Sequence, residues 1–391
     1  SPRVDEPRYR VALDLSCVYE QPRTGVGYAG LHLARALLAR MSGIDFRLFA
    51  TRPGNVPARL PELALPFSRE TVLPYARRLK RLLWTTLEWP PIECFTGDVH
   101  IAHDLFHQLP ATRRARRMVT VHDLSFFRHP DMHTEETVRQ HTHLLRRIAR
   151  SAHACVAISH SCKNDMIEFL AMDSDRIHVV PCGVETADFE DPLDATQLKN
   201  LQDRLRIGPR YFIHLGTIEP RKNLPRLIEA HAHLFARRRD CPKLLLVGKI
   251  GWKAATALQA IQDAGASGRL IHAGYLSRFD AVSLLRGAVA CIYPSLYEGF
   301  GLPALEAMAA RVPLITSNVS ALPEVVGDTA VQISPDNLEE LEDAMESVLE
   351  NHESTRLRVQ RAHARALEMT WARRAIQLES IYDMEYSNYR A

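Results

Sequence analysis

Short apolar runs alternate with helix-like segments along almost the whole chain. In the first half the runs fall at 9–15, 46–50, 98–102, 118–121, 155–158 and 177–181. In the second they fall at 211–215, 243–247, 270–273, 288–293, 313–316 and 331–333. Runs this short and mostly apolar suit strands buried on both faces. Helix-length spacers supply the crossovers that parallel neighbours require. The pattern predicts an α/β fold and argues against a β-sandwich or a helical bundle. The polar, charged stretch 186–208 separates two such series and reads as a linker. The expected division is therefore 1–190, 191–370 and a last helix, 371–391, whose aromatic side carries Trp371, Tyr382 and Tyr386. A chain of 391 residues is long enough for two separate cores.

The most informative stretch is 293–310, YPSLYEGFGLPALEAMAA. A strand end leads into a glycine-spaced loop, Glu298-Gly299-Phe300-Gly301, where backbone can approach a ligand closely. Leu302 and Pro303 then open a helix that carries Glu306. The free N–H groups and positive dipole of that helix start suit a phosphate. One carboxylate stands on each side of it, ready to accept from hydroxyls. Hydroxyls flanking a diphosphate describe a sugar nucleotide. Taken alone, the stretch also fits an ordinary strand-to-helix connection with two solvated glutamates.

Other strand ends carry polar residues as well. Gly216 to Asn223 reads GTIEPRKN, and Arg221 and Lys222 precede a helix, where two cations could neutralise a diphosphate. Gly248 ends one strand, and Tyr275 follows another. In the first half, Gly25, Gly27 and Gly30 match G-x-G-x-x-G. The loop before them is long, and the next strand ends in Thr51-Arg52 rather than an acid, so an NAD site is disfavoured. A phosphate-approach loop and a plain helix start both remain open there. His122 ends the strand at 118–121, on the edge where open α/β sheets bind ligands. A structural histidine bonded to a neighbouring loop is the competing reading. His103 and His107 could share a helix face, but no third metal ligand is evident.

Asn55 to Pro74 is proline-rich and reads as loop. The segment from Tyr75 to Trp89 interleaves Arg77, Arg78, Lys80 and Arg81 with leucines and tryptophans. It fits an anionic membrane surface, and equally a core-packed helix with a solvated basic face. Net charge is only +3, so nothing global demands nucleic acid. Seven cysteines without a C-x-x-C pair indicate neither a disulfide framework nor a zinc site. No apolar run reaches the roughly 20 residues of a spanning helix. These features lead to the expectation of a cytoplasmic protein, peripheral on the inner membrane face if the basic segment docks there.

Together these stretches resemble retaining glycosyltransferases of family four, which have the GT-B architecture. The resemblance rests on EGFGLPALEAMA with its E-x7-E spacing, on GTIEPRKN, TGVGY and VHD, and on VPCGVE at 180–185, all in family order. It implies two Rossmann-like domains facing each other across a cleft, with the last helix crossing back to the first. It also implies that Arg221 and Lys222 hold the donor diphosphate, Glu306 the ribose and Glu298 the sugar hydroxyls. Backbone groups of Phe300, Gly301 and Leu302 would meet sugar and phosphate, with Gly216, Gly248 and Tyr275 completing the donor site. Gly25 and Gly27 would close on the diphosphate, and His122 would sit at the donor–acceptor junction. No metal or cofactor is expected. Cys182 departs from the family pattern, which has Asn there. The implied reaction transfers a hexose, with GDP-mannose favoured over UDP-sugars, to a saccharide acceptor, lipid-linked if the basic segment docks at a membrane. A nucleotide-sugar epimerase and a noncatalytic sugar-nucleotide binding module are the rival readings.

Overall fold

The computed structural model describes residues 7–20, 23–51, 69–74, 76–350 and 352–391. They form two compact units. Unit 1 comprises 1–127, 139–183 and 371–391, and unit 2 comprises 128–138 and 184–370.

Unit 1 holds a seven-stranded parallel sheet in the order β3-β2-β1-β4-β5-β6-β7. The strands are β1 (Tyr9–Asp14), β2 (Ile44–Ala50), β3 (Arg69–Val72), β4 (Ile101–Asp104), β5 (Arg116–Val121), β6 (Ala154–Ala157) and β7 (Ile177–Val179). The order reverses between β1 and β4, whose ends pair Asp14 with Asp104. Edge strand β3 lies inside the stretch predicted as loop. Its sequence, RETV, has no apolar run to announce it, and it forms by pairing with β2. The rest of that stretch up to residue 68 lies outside the described residues.

The helix Trp371–Arg390 belongs to unit 1 and buries Ala375, Leu378 and Tyr382 in the core shared with β1, β2 and the helix Gly25–Ala39. The Tyr382 hydroxyl and His103 Nδ1 lie 2.7 Å apart. Arg40 and Arg116 pair with Glu379 and Glu385 at 2.7 and 2.6 Å.

Unit 2 holds a six-stranded parallel sheet, order β10-β9-β8-β11-β12-β13. Its strands are β8 (Tyr211–Leu215), β9 (Lys243–Val247), β10 (Leu270–His272), β11 (Ala290–Tyr293), β12 (Leu314–Ser317) and β13 (Val331–Ile333). Here the reversal lies between β8 and β11. The predicted linker is not extended chain. It contains the helices Ala187–Glu190 and Ala195–Leu205, the second capped by Asp194, whose carboxylate accepts from Thr196 N and Gln197 N. Leu198, Leu201 and Leu205 recur on one face of that helix, a period hidden by its charged composition.

The basic segment forms a helix over Arg77–Thr86, but its cations do not share one solvated face. Lys80 is buried and ion-paired with Asp14, and Trp84 is buried with its indole N–H donating to Pro90 O at 3.0 Å. Arg78, Arg81, Leu79, Leu82, Leu87 and Trp89 are exposed.

Candidate functional site

In unit 2 most of the predicted residues gather at one sheet edge. All six strands are parallel, so their C-terminal ends share that edge. Gly216 follows β8, Gly248 follows β9, Tyr275 follows β10 and Glu298 follows β11. Arg221 and Lys222 come from the 3-10 turn after β8, and Glu298 from the loop after β11. The cations and the carboxylate therefore flank the point where strand order reverses, the crevice position for ligands in open α/β sheets.

Gly248 has φ +157, and a Cβ there would lie 1.8 Å from the carbonyl oxygen of Gly216, so only glycine lets the two strand ends meet. Gly301 has φ +103 and stands at the N-cap of the helix Leu302–Ala309, which has no side-chain cap and no acid in its first turn. Its positive end is thus free of an internal counter-charge, beside Phe300.

Four charged side chains meet. Lys222 Nζ donates to Glu298 Oε1 at 2.5 Å and to the Tyr293 hydroxyl at 2.7 Å. Arg221 donates to Glu298 Oε2 at 3.0 Å and to Glu219 Oε1 at 2.7 Å. Lys222, Glu298 and Glu219 are buried. Burial opposes ionisation of Glu298, yet Lys222 and Arg221 outweigh it and hold its pKa at about 2. Two cations beside a helix start suited to a diphosphate are therefore matched, in this state, by two carboxylates of the chain itself: Glu298, which both cations share, and Glu219, which pairs with Arg221 alone.

Glu306 is partly buried and accepts from Arg278 at 2.6 Å, and Arg278 also bonds Asp188 Oδ2 at 2.9 and 3.1 Å. Sequence reasoning missed Arg278. Its partners lie 28 and 90 positions away, and no local pattern marks it. Tyr275 is 49% exposed on its loop.

Gly25, Gly27 and His122 belong to unit 1. Gly25 begins the helix Gly25–Ala39, and Gly27 is buried in its first turn. His122 follows β5, with Nε2 2.7 Å from Leu105 O. A carbonyl only accepts, so Nε2 carries the proton. Burial lowers the His122 pKa, against the Leu105 bond and Asp123, leaving a neutral ring with Nδ1 as acceptor. His107 accepts the His122 backbone N–H at Nε2, 2.7 Å away. His103 is buried between Thr120 and Tyr382, and burial lowers its pKa to about 3. Both histidines lie inside the fold and do not share a helix face: His103 is in β4 and His107 in the following loop. Cys182 is buried, its thiol pushed up to about 12 by burial, and with His122, Leu105 and Trp371 it lines a cavity of about 30 Å³. No group of three or more His, Cys, Asp or Glu among the described residues could hold a metal ion.

Comparison with known proteins agrees with this arrangement. The model for Glycosyltransferase Family 4 matches residues 23–188, and that for Glycosyl transferases group 1 matches 199–365. The O-antigen chain mannosyltransferase B of Escherichia coli is 28% identical over 378 residues, covering 93% of this chain and 97% of that protein. The MMP alpha-(1->4)-mannosyltransferase of Mycolicibacterium hassiacum is 32% identical over 243 residues, 61% of this chain and 56% of that one. Among solved structures, Anabaena Alr3699/HepE in complex with UDP-glucose superposes with a TM-score of 0.74 at 15% identity, covering 96% of this chain and all of that one. Two parallel-sheet domains, the matching domain models and these relatives lead to one conclusion: the chain belongs to the family 4, group 1 glycosyltransferases of the GT-B fold and is a hexosyltransferase.

Proposed function

We propose that the protein transfers mannose from GDP-mannose to a saccharide acceptor, with retention at the anomeric carbon. The observation that carries this reading is the meeting of Arg221 and Lys222 at the sheet's reversal point, near an uncapped helix start. Such a site stabilises a departing diphosphate. The mannosyl preference follows the activities named for the two relatives above. The structural neighbour bound to UDP-glucose favours a second reading, a UDP-sugar donor at the same site.

In the proposed step the bond from the anomeric carbon to the β-phosphate oxygen breaks on the face where the acceptor hydroxyl attacks. The acceptor proton passes to the leaving phosphate. Arg221 and Lys222 take up the developing charge, and Glu298, once released from them, accepts from sugar hydroxyls. Glu306 accepts from the ribose, oriented by Arg278. Phe300, Gly301 and Leu302 present backbone N–H groups, and Gly216, Gly248 and Tyr275 shape the donor pocket. Gly25 and Gly27 serve the diphosphate, and His122 accepts from the donor sugar through Nδ1. In this reading the step needs no metal or organic cofactor, the two cations and the helix start supplying positive charge at the diphosphate. The acceptor is assigned as a lipid-linked saccharide, with the exposed arginines and leucines of the helix Arg77–Thr86 meeting an anionic membrane surface.

A panel of nucleotide sugars with membrane lipid extract, with and without EDTA, tests the reading. Acceptor-dependent, EDTA-resistant transfer from GDP-mannose is expected, with turnover lost in Lys222→Ala. Wild-type turnover in that variant would refute the diphosphate assignment. Transfer from UDP-sugars alone would select the second donor.

A further inference from the structure

Tyr293 ends β11 and is 1% exposed. Phenylalanine would fill such a strand position equally well. A buried phenol needs partners for its oxygen: this one accepts from the ammonium of Lys222 at 2.7 Å, and its own hydroxyl hydrogen bonds to Glu298; burial and this bond both raise the phenol pKa. The same ammonium lies 4.9 Å from the Tyr293 ring centroid.

Both the backbone and the ring of Tyr293 are held. The Tyr293 carbonyl accepts from Thr316 Oγ1 at 3.2 Å, tying the strand end to β12. The His214 ring stacks on it, with centroids 5.6 Å apart and planes at 21°. His214 is fully buried, and its Nδ1 lies 2.9 Å from Ile292 O, so Nδ1 carries the proton. That leaves Nε2 as a bare acceptor with no partner among the described residues. A Cβ placed on Gly216 would lie 3.4 Å from both His214 Nε2 and Lys222 Cε, so this unused acceptor stands close to the lysine stem.

Lys222 therefore has two unlike partners. Glu298 comes from a ligand-facing loop and is charged. A diphosphate arriving at Arg221 and Lys222 must replace it as counter-ion, and only then can the carboxylate turn to anything else. Tyr293 is neutral, clamped and part of the sheet. If Glu298 were the sole anchor, releasing it would also release the buried ammonium.

We infer that Tyr293 is a positioning residue: its hydroxyl is the fixed partner of the Lys222 ammonium, and Glu298 is the exchangeable one. This rests on the diphosphate reading of the cation pair. Donor binding is then an exchange of anions around a cation that stays in place, so the charge is already aimed when the leaving group departs.

The test compares wild type, Tyr293→Phe, and a variant with 2,3,5-trifluorotyrosine at 293. Calorimetric binding of GDP, UDP and GMP and donor kinetics are the readouts. Tyr293→Phe removes one oxygen and keeps the ring, and a thermal melt checks its fold. It is expected to lower donor kcat/KM and nucleoside diphosphate affinity by about ten- to a hundredfold, the scale of a hydrogen bond to a charged group. GMP, which lacks the second phosphate, is expected to bind both proteins alike. Trifluorotyrosine keeps the ring and the hydroxyl but withdraws electron density from the oxygen, so it accepts more weakly from the ammonium, and a fall in nucleoside diphosphate affinity smaller than that of Tyr293→Phe is expected, again without effect on GMP. This second variant decides the matter if Tyr293→Phe misfolds. Wild-type affinities in the substituted proteins would overturn the positioning role and leave the diphosphate reading standing. Wild-type protein that binds neither GDP nor UDP would overturn both.

Discussion

At the scale of single residues, two buried carboxylates pull stability in opposite directions with pH. Glu298 is held at about 2 in the folded chain, against 4.5 for an ordinary glutamate. The unfolded chain takes up a proton well before the folded one does. Its contribution, roughly 3 kcal/mol, is full above pH 5 and is lost as pH falls towards 2. Asp104 behaves inversely. Burial and then the neighbouring Asp14 raise it from 3.8 to about 7, with Lys80 opposing, while its Oδ1 accepts from Phe106 N and Gln108 N. The folded state holds this proton longer than the unfolded one, so this contribution is lost as pH rises from about 4 to 7, while His103 and His214, which burial holds down at about 3 and about 4, add stability over the same range. Thermal melts across pH check both signs. Asp104→Asn is expected to tilt the stability profile between 4 and 7 towards higher pH relative to wild type, and Glu298→Gln to flatten the acid limb. Neither behaviour is readable from sequence. Glu298 stands out by its motif, but the partners of Asp104 are assembled from β1 and from a helix that starts over 20 residues before it. Tyr293 is legible only as a core position, because its apolar neighbours Ala290, Cys291 and Ile292 mask the one oxygen that matters.

At the scale of elements, strands with apolar runs were legible and polar ones were not. β8 (YFIHL) and β9 (KLLLV) match their predicted spans. β3 escaped prediction because pairing with β2, not composition, makes it regular, and the helix Ala195–Leu205 because its charged residues hide the leucine period and the Asp194 cap. The helix Arg77–Thr86 shows the same limit. Sequence distinguishes cations from leucines but cannot tell that Lys80 turns inward to Asp14 while Arg78 and Arg81 stay outside. Burying Lys80 and Trp84 orients the helix, leaving Leu79, Leu82 and two arginines to solvent. If that face meets lipid, the protein floats with anionic vesicles in a density gradient, and Leu82→Ser with Trp89→Ser abolishes flotation at unchanged melting temperature. Flotation undiminished in that double variant would remove the membrane role from this helix. Among the described residues no helix is long and apolar enough to cross a membrane.

At the scale of the whole molecule, the alternation of runs was enough to give two parallel sheets, because crossover helices leave parallel strands buried on both faces. The composition of the units was harder to read. Residues 128–138 cluster with unit 2 and 371–391 with unit 1, and neither assignment is signalled by a local pattern. Deleting 371–391 should remove Tyr382, Leu378 and Ala375 from the unit 1 core, along with the partners of Arg40 and Arg116. The expected result by hydrogen exchange is loss of protection throughout β1, β2 and β4, with unit 2 amides unaffected. Retained protection in unit 1 would show that the helix is dispensable for that core.

The position of that helix also sets a timetable. Domains usually mature in the order in which they leave the ribosome. Here the segment that completes the unit 1 core is translated only after every residue of unit 2. During synthesis, Phe46 and His103, the partners of Tyr382 on β2 and β4, wait for it until all of unit 2 has been added. Unit 1 is thus begun before unit 2 and completed after it, so its core closes late in synthesis however early its first strands emerge.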